Sequence, residues 1–101
     1  MEDLRQAFMD RNPAATFSAS TNATQVMIPP ATQAITVGSK DKPLYLGFGD
    51  REDGAAMAAA NSIYIAQNAY FSMRLQHGLD CFYVAVADSG TGTATIILEQ
   101  N

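Results

Sequence analysis

Asp50, Glu52 and Asp53 lie close together in the segment DREDG, and carboxylate oxygens are the ligands that Ca²⁺ prefers. A calcium-binding EF-hand loop places its acidic residues ahead of a glycine and a late glutamate, and this segment does not follow that order. Arg51 lies among the acids, and Asp53-Gly54 is typical of a turn. We therefore predict a solvated turn here rather than a metal site.

Other candidate catalytic groups are sparse. His77 and Cys81 are the only histidine and cysteine, whereas a catalytic zinc site typically needs three protein ligands. Ser72, His77 and Asp80 are the residue types of a Ser–His–Asp catalytic triad, but their spacing does not require them to form one. No Gly-x-Ser-x-Gly motif is present either. The segment SGTGT at 89–93 lacks the lysine and the helix that follow in a phosphate-binding loop. We expect no catalytic residue, no metal and no cofactor, and therefore not an enzyme.

Composition limits the remaining classes. The chain has 101 residues, which indicates one domain. Its 48% hydrophobic residues exclude a largely disordered chain, and its 16% charged residues are fewer than the roughly 25% usual for a globular domain. A small domain with few surface charges gains stability by packing against other subunits, which favours a homo-oligomer.

The charge distribution argues against two kinds of partner. The net charge is −4, and the 6 lysines and arginines do not form a stripe that could replace counterions on phosphates. No apolar run approaches the ~20 residues that a membrane span needs, and residues 1–11 contain no apolar signal-peptide core. We expect no nucleic acid and no membrane as a partner, and synthesis in a reducing compartment.

Alternation of apolar and polar residues determines the predicted fold class. The sequence CFYVAVADSGTGTATIILE, residues 81–99, predicts two strands that form an antiparallel hairpin around a glycine-rich turn. Further strands are predicted at Gln25–Ile28, Thr32–Val37, Pro43–Gly49, Ser62–Ala66 and Ala69–Leu75. The predicted core consists of Ile35, Val37, Leu46, Phe48, Phe82, Val84, Val86, Ile96 and Leu98. About seven or eight short strands predict an all-β fold, a small antiparallel β-sandwich of jelly-roll-like form.

The alanine-rich run at Ala55–Ala60 leaves one alternative open. Alanine has the highest helix propensity, yet Ile63 and Ile65 alternate with Tyr64 just after the run, so we predict a loop or a single helical turn at Ala55–Ala60, followed by strands. A continuous helix from Ala55 to Leu75 is the alternative, and it would make the fold α+β.

The N-terminal segment is predicted to be distinct from the sandwich. Met1–Met9 has its apolar residues on one face of a short amphipathic helix, with acidic residues in the first turn. Such a short helix is unstable alone, so it must dock on its own domain or on a neighbouring chain. Residues 14–24 could form an extended arm or an edge strand. The expected domains are a helix and arm at 1–23 and a β-sandwich at 24–101.

Five residues are expected to bind partners. Tyr45, Tyr64 and Tyr83 fall on the strand faces opposite the main apolar set, and tyrosine is enriched at interfaces. Leu4 and Phe8 lie on the apolar face of the N-terminal helix and are expected to anchor it on a partner.

Four segments resemble a known class of proteins. QVMIPPATQAITV, PLYLGFGD, SIYIAQNAYFSM and FYVAVADSGTGTATIIL resemble, in this order, the strands and closing hairpin of small β-sandwich structural proteins of tailed bacteriophages. The resemblance covers roughly Gln25 to Glu99. The N-terminal helix and Ala55–Ala60 are not part of it.

This resemblance implies a non-enzymatic virion protein. Its most concrete form is a capsid decoration, or cement, protein that binds the outer surface of the head and stabilises contacts between capsid subunits. Such proteins often form trimers at three-fold positions. The implied partners are the major capsid protein or another virion protein, together with further copies of this chain. The implied location is the virion, after synthesis in the host cytoplasm.

Two other functions remain open. One is a head–tail, neck or tail component built on the same sandwich, which would differ in copy number and symmetry. The other is a sugar-binding β-sandwich, which would need an exposed Tyr or Phe beside Asp or Asn in one concave site.

Overall fold

The computed structural model describes residues 2–5, 14–29, 32–48, 62–75 and 80–100. In this part the chain forms strands that pack as two sheets, so the predicted all-β antiparallel sandwich is confirmed. The strands are β1 (Glu2–Asp3), β2 (Ala14–Ala19), β3 (Thr24–Met27), β4 (Thr32–Ser39), β5 (Leu44–Gly47), β6 (Ile63–Ile65), β7 (Tyr70–Arg74), β8 (Cys81–Val86) and β9 (Gly92–Gln100). Within these residues no helix has the length and apolar character to cross a membrane.

The chain passes repeatedly from one sheet to the other. The five-stranded sheet has the order β1-β3-β8-β5-β6, and the four-stranded sheet has the order β2-β9-β4-β7. All pairs are antiparallel except β1 and β3, which are parallel. Among the described strands, β5 and β6 are the only sequence neighbours that pair with each other. Such crossings are typical of jelly-roll-like sandwiches.

The predicted hairpin at residues 81–99 is wrong in its pairing, although both of its strands exist. β8 pairs with β3 and β5, whereas β9 pairs with β2 and β4, so the two strands lie in opposite sheets. Each strand has one apolar face, and placing the strands in opposing sheets brings the two faces together across the core. Period-two alternation identifies the buried face of a strand but not the strand beside it.

The core lies between the two sheets and contains the predicted residues. All of them are buried except Phe48, which is half-buried and packs against Phe82 with ring centroids 6.4 Å apart. The core also includes residues outside the predicted core set, namely Leu4, Phe17, Ala19, Val26, Ile28, Leu44, Ile65 and Ala94.

The ambiguous region resolves in favour of strands where it is described. β6 and β7 lie within the predicted strands Ser62–Ala66 and Ala69–Leu75, so the alternative of a continuous helix is wrong for residues 62–75. In a strand, the alternating apolar side chains of this region all reach the core, and the stability gained by burying them outweighs its helix propensity. Ala55–Ala60, the acidic turn at 50–53 and His77 lie outside the described residues.

The start of the chain belongs to the sandwich. Glu2 and Asp3 form β1 rather than the first turn of the predicted Met1–Met9 helix, and the Leu4 N–H donates to the Met27 carbonyl at 3.0 Å. The Leu4 side chain is 6% exposed within the core, and β2 is an edge strand, one of the two predicted forms of residues 14–24. A short isolated helix is weak, whereas the edge of β3 offers backbone partners. β1 and β2 thus lie in the same two sheets as the described strands of residues 24–101.

A side-chain contact closes one end of the sandwich. Asp41, in the turn between β4 and β5, accepts a hydrogen bond from the Thr93 N–H of β9 at 2.8 Å. The turn lies so close to β9 that a Cβ at Gly92 would lie 2.7 Å from Lys42 Cβ. The hydrogen bond from Thr93 lowers the pKa of the Asp41 carboxyl, with smaller contributions from Lys40 and Lys42.

Removing Leu4 from the core tests whether the N-terminus is structural. We expect Leu4→Ala to lower the free energy of unfolding by about 2 kcal/mol, because it removes buried methyl groups and leaves a cavity. Urea denaturation followed by circular dichroism measures the change. Arg5→Ala is the control, because Arg5 is exposed and its surface ion pair with Asp3 contributes little. Equal stability of the wild-type and Leu4→Ala chains would show that the N-terminal strand is dispensable.

The Asp41 contact predicts a pH dependence of stability. The folded state lowers the pKa of Asp41, so its contribution is fully present above the unfolded value of about 4 and is lost as pH falls through the lower folded value. The stability difference between wild type and Asp41→Asn should therefore shrink as the pH is lowered from about 6 towards the folded pKa. Asp41→Ala, which also removes the acceptor, should remain less stable than Asp41→Asn throughout. If the difference in unfolding free energy between wild type and Asp41→Asn does not change with pH, this assignment is wrong.

Candidate functional site

Two of the groups that could form a catalytic set, Ser72 and Asp80, belong to different sheets, and His77 lies outside the described residues. Ser72 lies in the middle of β7 in the four-stranded sheet, and its hydroxyl is 2.7 Å from that of Thr36. Asp80 adjoins β8 in the five-stranded sheet, where its carbonyl accepts from the Ile28 N–H. Cys81 is half-buried with a free thiol. Among the described residues, no group of three or more His, Cys, Asp or Glu side chains is placed to hold a metal ion.

The three tyrosines predicted to form a patch share the outer face of the five-stranded sheet but differ in exposure. Tyr45 pairs directly with Tyr64 across β5 and β6, and the two rings meet edge to face with centroids 6.0 Å apart. Tyr64 is 58% exposed, Tyr45 is half-buried, and Tyr83 is only 4% exposed. Tyr83 packs with Ala23, Ala85 and Tyr45. The exposed part of the predicted patch is therefore the Tyr45–Tyr64 pair.

The local sequence explains why Tyr64 points outward. In β6 the sequence is Ile-Tyr-Ile, and the two isoleucines pack on the core from the inner face. Period-two alternation then places the central tyrosine on the outer face. β6 is the terminal strand of the described sheet, so Tyr64 lies beside the sheet edge. Of the other predicted contact residues, Leu4 is in the core, and Phe8 lies outside the described residues.

The outer face of the four-stranded sheet carries hydroxyl groups and one exposed aromatic ring. Outward residues of β2, β9, β4 and β7 align in rows across the sheet. One row contains Thr16, Thr95, Gly38 and Tyr70, the next contains Ala14, Ile97, Thr36 and Ser72, and a third contains Glu99, Ala34 and Arg74. This face was not among the predicted binding sites.

Tyr70 lies over a glycine on the neighbouring strand. Gly38 is its cross-strand partner, and a Cβ built at Gly38 would lie 2.6 Å from Tyr70 Cδ1. The ring therefore occupies the space that any other side chain at position 38 would fill, while the residue remains 66% exposed. An aromatic side chain placed over a cross-strand glycine is a known way of covering exposed backbone in sheets. The glycine in an otherwise regular strand was the sequence signal for this arrangement.

A shallow depression lies next to Tyr70 on the same face. It encloses about 420 Å³, and its lining includes Thr36, Ser72, Arg74, Ile97 and Glu99. Its width follows from Ala34, whose small side chain lies in register between Arg74 on β7 and Glu99 on β9. Two strand spacings separate these charged residues, about 10 Å between backbones. The depression thus presents a cation, an anion and two hydroxyl groups around an open floor.

Ser39 fixes the turn that connects the two exposed tyrosines. Its side chain is buried, its N–H donates to the Ala69 carbonyl at 2.9 Å, and its hydroxyl donates to the Ala66 carbonyl. Asn68 in this turn has a positive φ of 62°, a conformation that asparagine tolerates better than most residues. The turn carries the chain from β6 to β7, so Tyr64 and Tyr70 lie on opposite outer faces of the sandwich.

Comparison with known proteins gives a similarity in fold. No family model matches this chain, and no curated protein matches its sequence. Among solved structures the chain is similar to the crystal structure of PirA, with a TM-score of 0.56 over 87% of this chain and 94% of the PirA chain. The two sequences are 12% identical over this match. At that identity the similarity shows a shared fold and carries no information about a shared activity.

Proposed function

We propose that this chain is a non-enzymatic structural protein of a virion, and specifically a decoration protein that binds the outer surface of a capsid. The observation that carries the proposal is the Tyr45–Tyr64 pair at the edge of the five-stranded sheet. The link to a virion rests on the resemblance of residues 25–99 to small phage structural proteins.

The tyrosine pair has the physical properties of a protein contact. Tyr64 is exposed, and its ring is held by an edge-to-face contact with Tyr45, so ordering it on binding costs little conformational entropy. Tyrosine supplies a large apolar surface and one polar group, which is why it is frequent among the residues that dominate binding energy. Among the described strands β6 pairs with β5 alone, and its other edge could pair with a strand of a partner.

The sandwich also suits assembly of several copies. Among the described strands, β1 and β6 are the edge strands of one sheet, and β2 and β7 are the edge strands of the other. The sandwich therefore has unlike edges at its two sides. A contact between unlike surfaces of adjacent copies is a head-to-tail interface, and three copies can close such an interface into a ring. A trimer placed on a three-fold position of a capsid would use this arrangement.

The location in the particle is tested by copy number. We expect quantitative mass spectrometry of purified particles from the presumed phage to find the chain at a copy number comparable to that of the major capsid protein. A handful of copies per particle would instead assign it to the neck or tail, with the same sandwich used at lower symmetry. Absence from the particles would overturn the structural proposal.

The binding surface is tested by removing one exposed ring. We expect Tyr64→Ala to weaken binding to particles that lack this protein by about tenfold, because an anchoring aromatic contact is lost. Cosedimentation with the particles measures the affinity, and thermal unfolding checks that the fold is retained. Tyr70→Ala is the matched control, since it removes a tyrosine of comparable exposure from the opposite face. Equal weakening by both variants, or by neither, would contradict the assignment of the interface to β5 and β6.

A further inference from the structure

The outer face of the four-stranded sheet presents a second binding surface, formed by Tyr70 and the neighbouring depression. We propose that this surface is a binding site for a neutral oligosaccharide, in which Tyr70 stacks on a sugar ring and the depression binds sugar hydroxyl groups. The proposal does not rest on the virion assignment, because it uses other residues on the opposite face.

The position of Tyr70 provides a stacking surface that exists before any ligand binds. Gly38 leaves the space in which the ring lies over β4, and the residue keeps 66% of its surface exposed. The apolar faces of sugars stack on such rings, and a preformed position reduces the entropy lost on binding. A larger residue at position 38 would displace the ring from this place.

The depression provides hydrogen-bonding groups at a suitable spacing from the ring. Along β7, Ser72 is two residues from Tyr70 and Arg74 is two residues further, so successive outward side chains are separated by about 7 Å. That step is comparable with the size of one sugar ring, so Tyr70 and the depression together span about two rings. Arg74 offers donors and Glu99 offers acceptors, while the Thr36 and Ser72 hydroxyls, hydrogen-bonded to each other, retain one O–H donor and free acceptor lone pairs.

The charges of the depression select a neutral ligand. One cation and one anion face the same space, so a phosphate or an acidic group that approached Arg74 would also approach Glu99. Single-stranded nucleic acid would need a cationic groove along its backbone, and the described residues that line the depression include one arginine and no lysine. An apolar peptide would cover Arg74 and Glu99 without offering them hydrogen-bond partners. A polyhydroxylated neutral molecule satisfies donors and acceptors together.

The test uses the full chain and defined sugars. Two-dimensional ¹H–¹⁵N NMR spectra are recorded during titration with cellotetraose, chitotriose and lactose, each up to about 10 mM, a range that detects dissociation constants near 1 mM. We expect at least one sugar to shift signals from β4, β7 and β9. Absence of shifts with all three sugars, or shifts confined to other strands, would overturn the proposal.

Variants separate the stacking ring from a general effect on the fold. Tyr70→Ala and Gly38→Ala should each weaken binding about tenfold or more, the first by removing the ring and the second by displacing it. Tyr70→Phe should retain most of the affinity, because it keeps the stacking surface, and Tyr64→Ala should bind as the wild type does. If Tyr70→Ala leaves sugar binding unchanged, the ring is not part of a sugar site and the proposal fails.

Discussion

The hydrogen bonds of Ser39 hold the two sheets together at the point where the chain crosses between β6 and β7. The serine lies at the end of β4 in the four-stranded sheet, yet its hydroxyl and its N–H both bond to carbonyl groups of the β6–β7 turn. Ser39 is buried, so its N–H and hydroxyl would be costly to leave without these acceptors. The positions of both exposed tyrosines follow from this turn, one on each outer face. Gly38, the preceding residue, completes the arrangement by leaving room for the Tyr70 ring.

The two outer faces of the sandwich have different chemistry because their sequences differ in the residues that alternate with the core. On the five-stranded sheet the outward positions include tyrosines and small apolar residues, and its centre is buried around Tyr83 and Ala85. On the four-stranded sheet the outward positions are mainly threonine, serine and two charged residues. One core therefore supports an aromatic surface suited to a protein partner and a polar surface suited to a hydroxyl-rich ligand.

The sequence allowed the strands and their buried faces to be predicted, because a strand with one face in the core must alternate. Ile35, Val37, Ile96 and Leu98 were all identified in this way and are buried. Strand partners could not be predicted, since pairing depends on how the whole chain packs, and the hairpin at 81–99 failed for that reason. The predicted N-terminal helix is wrong at Glu2–Asp3. A helix this short is unstable alone, whereas the edge of β3 supplies backbone hydrogen-bond partners for a strand. The Tyr70 surface was missed because it depends on a residue 32 positions away, Gly38.

The position of β9 has a consequence for how the molecule is made. β9 lies between β2 and β4, and without it these two strands have no partner in common. Residues 92–100 are synthesised after β2, β4 and β7, so among the described strands β2 has no partner, and β4 has only β7, until β9 has been made. A sandwich dominated by such long-range pairs is expected to fold slowly and to expose strand edges before it closes. Early synthesis therefore carries a risk of aggregation that a chaperone bound to the nascent chain would reduce.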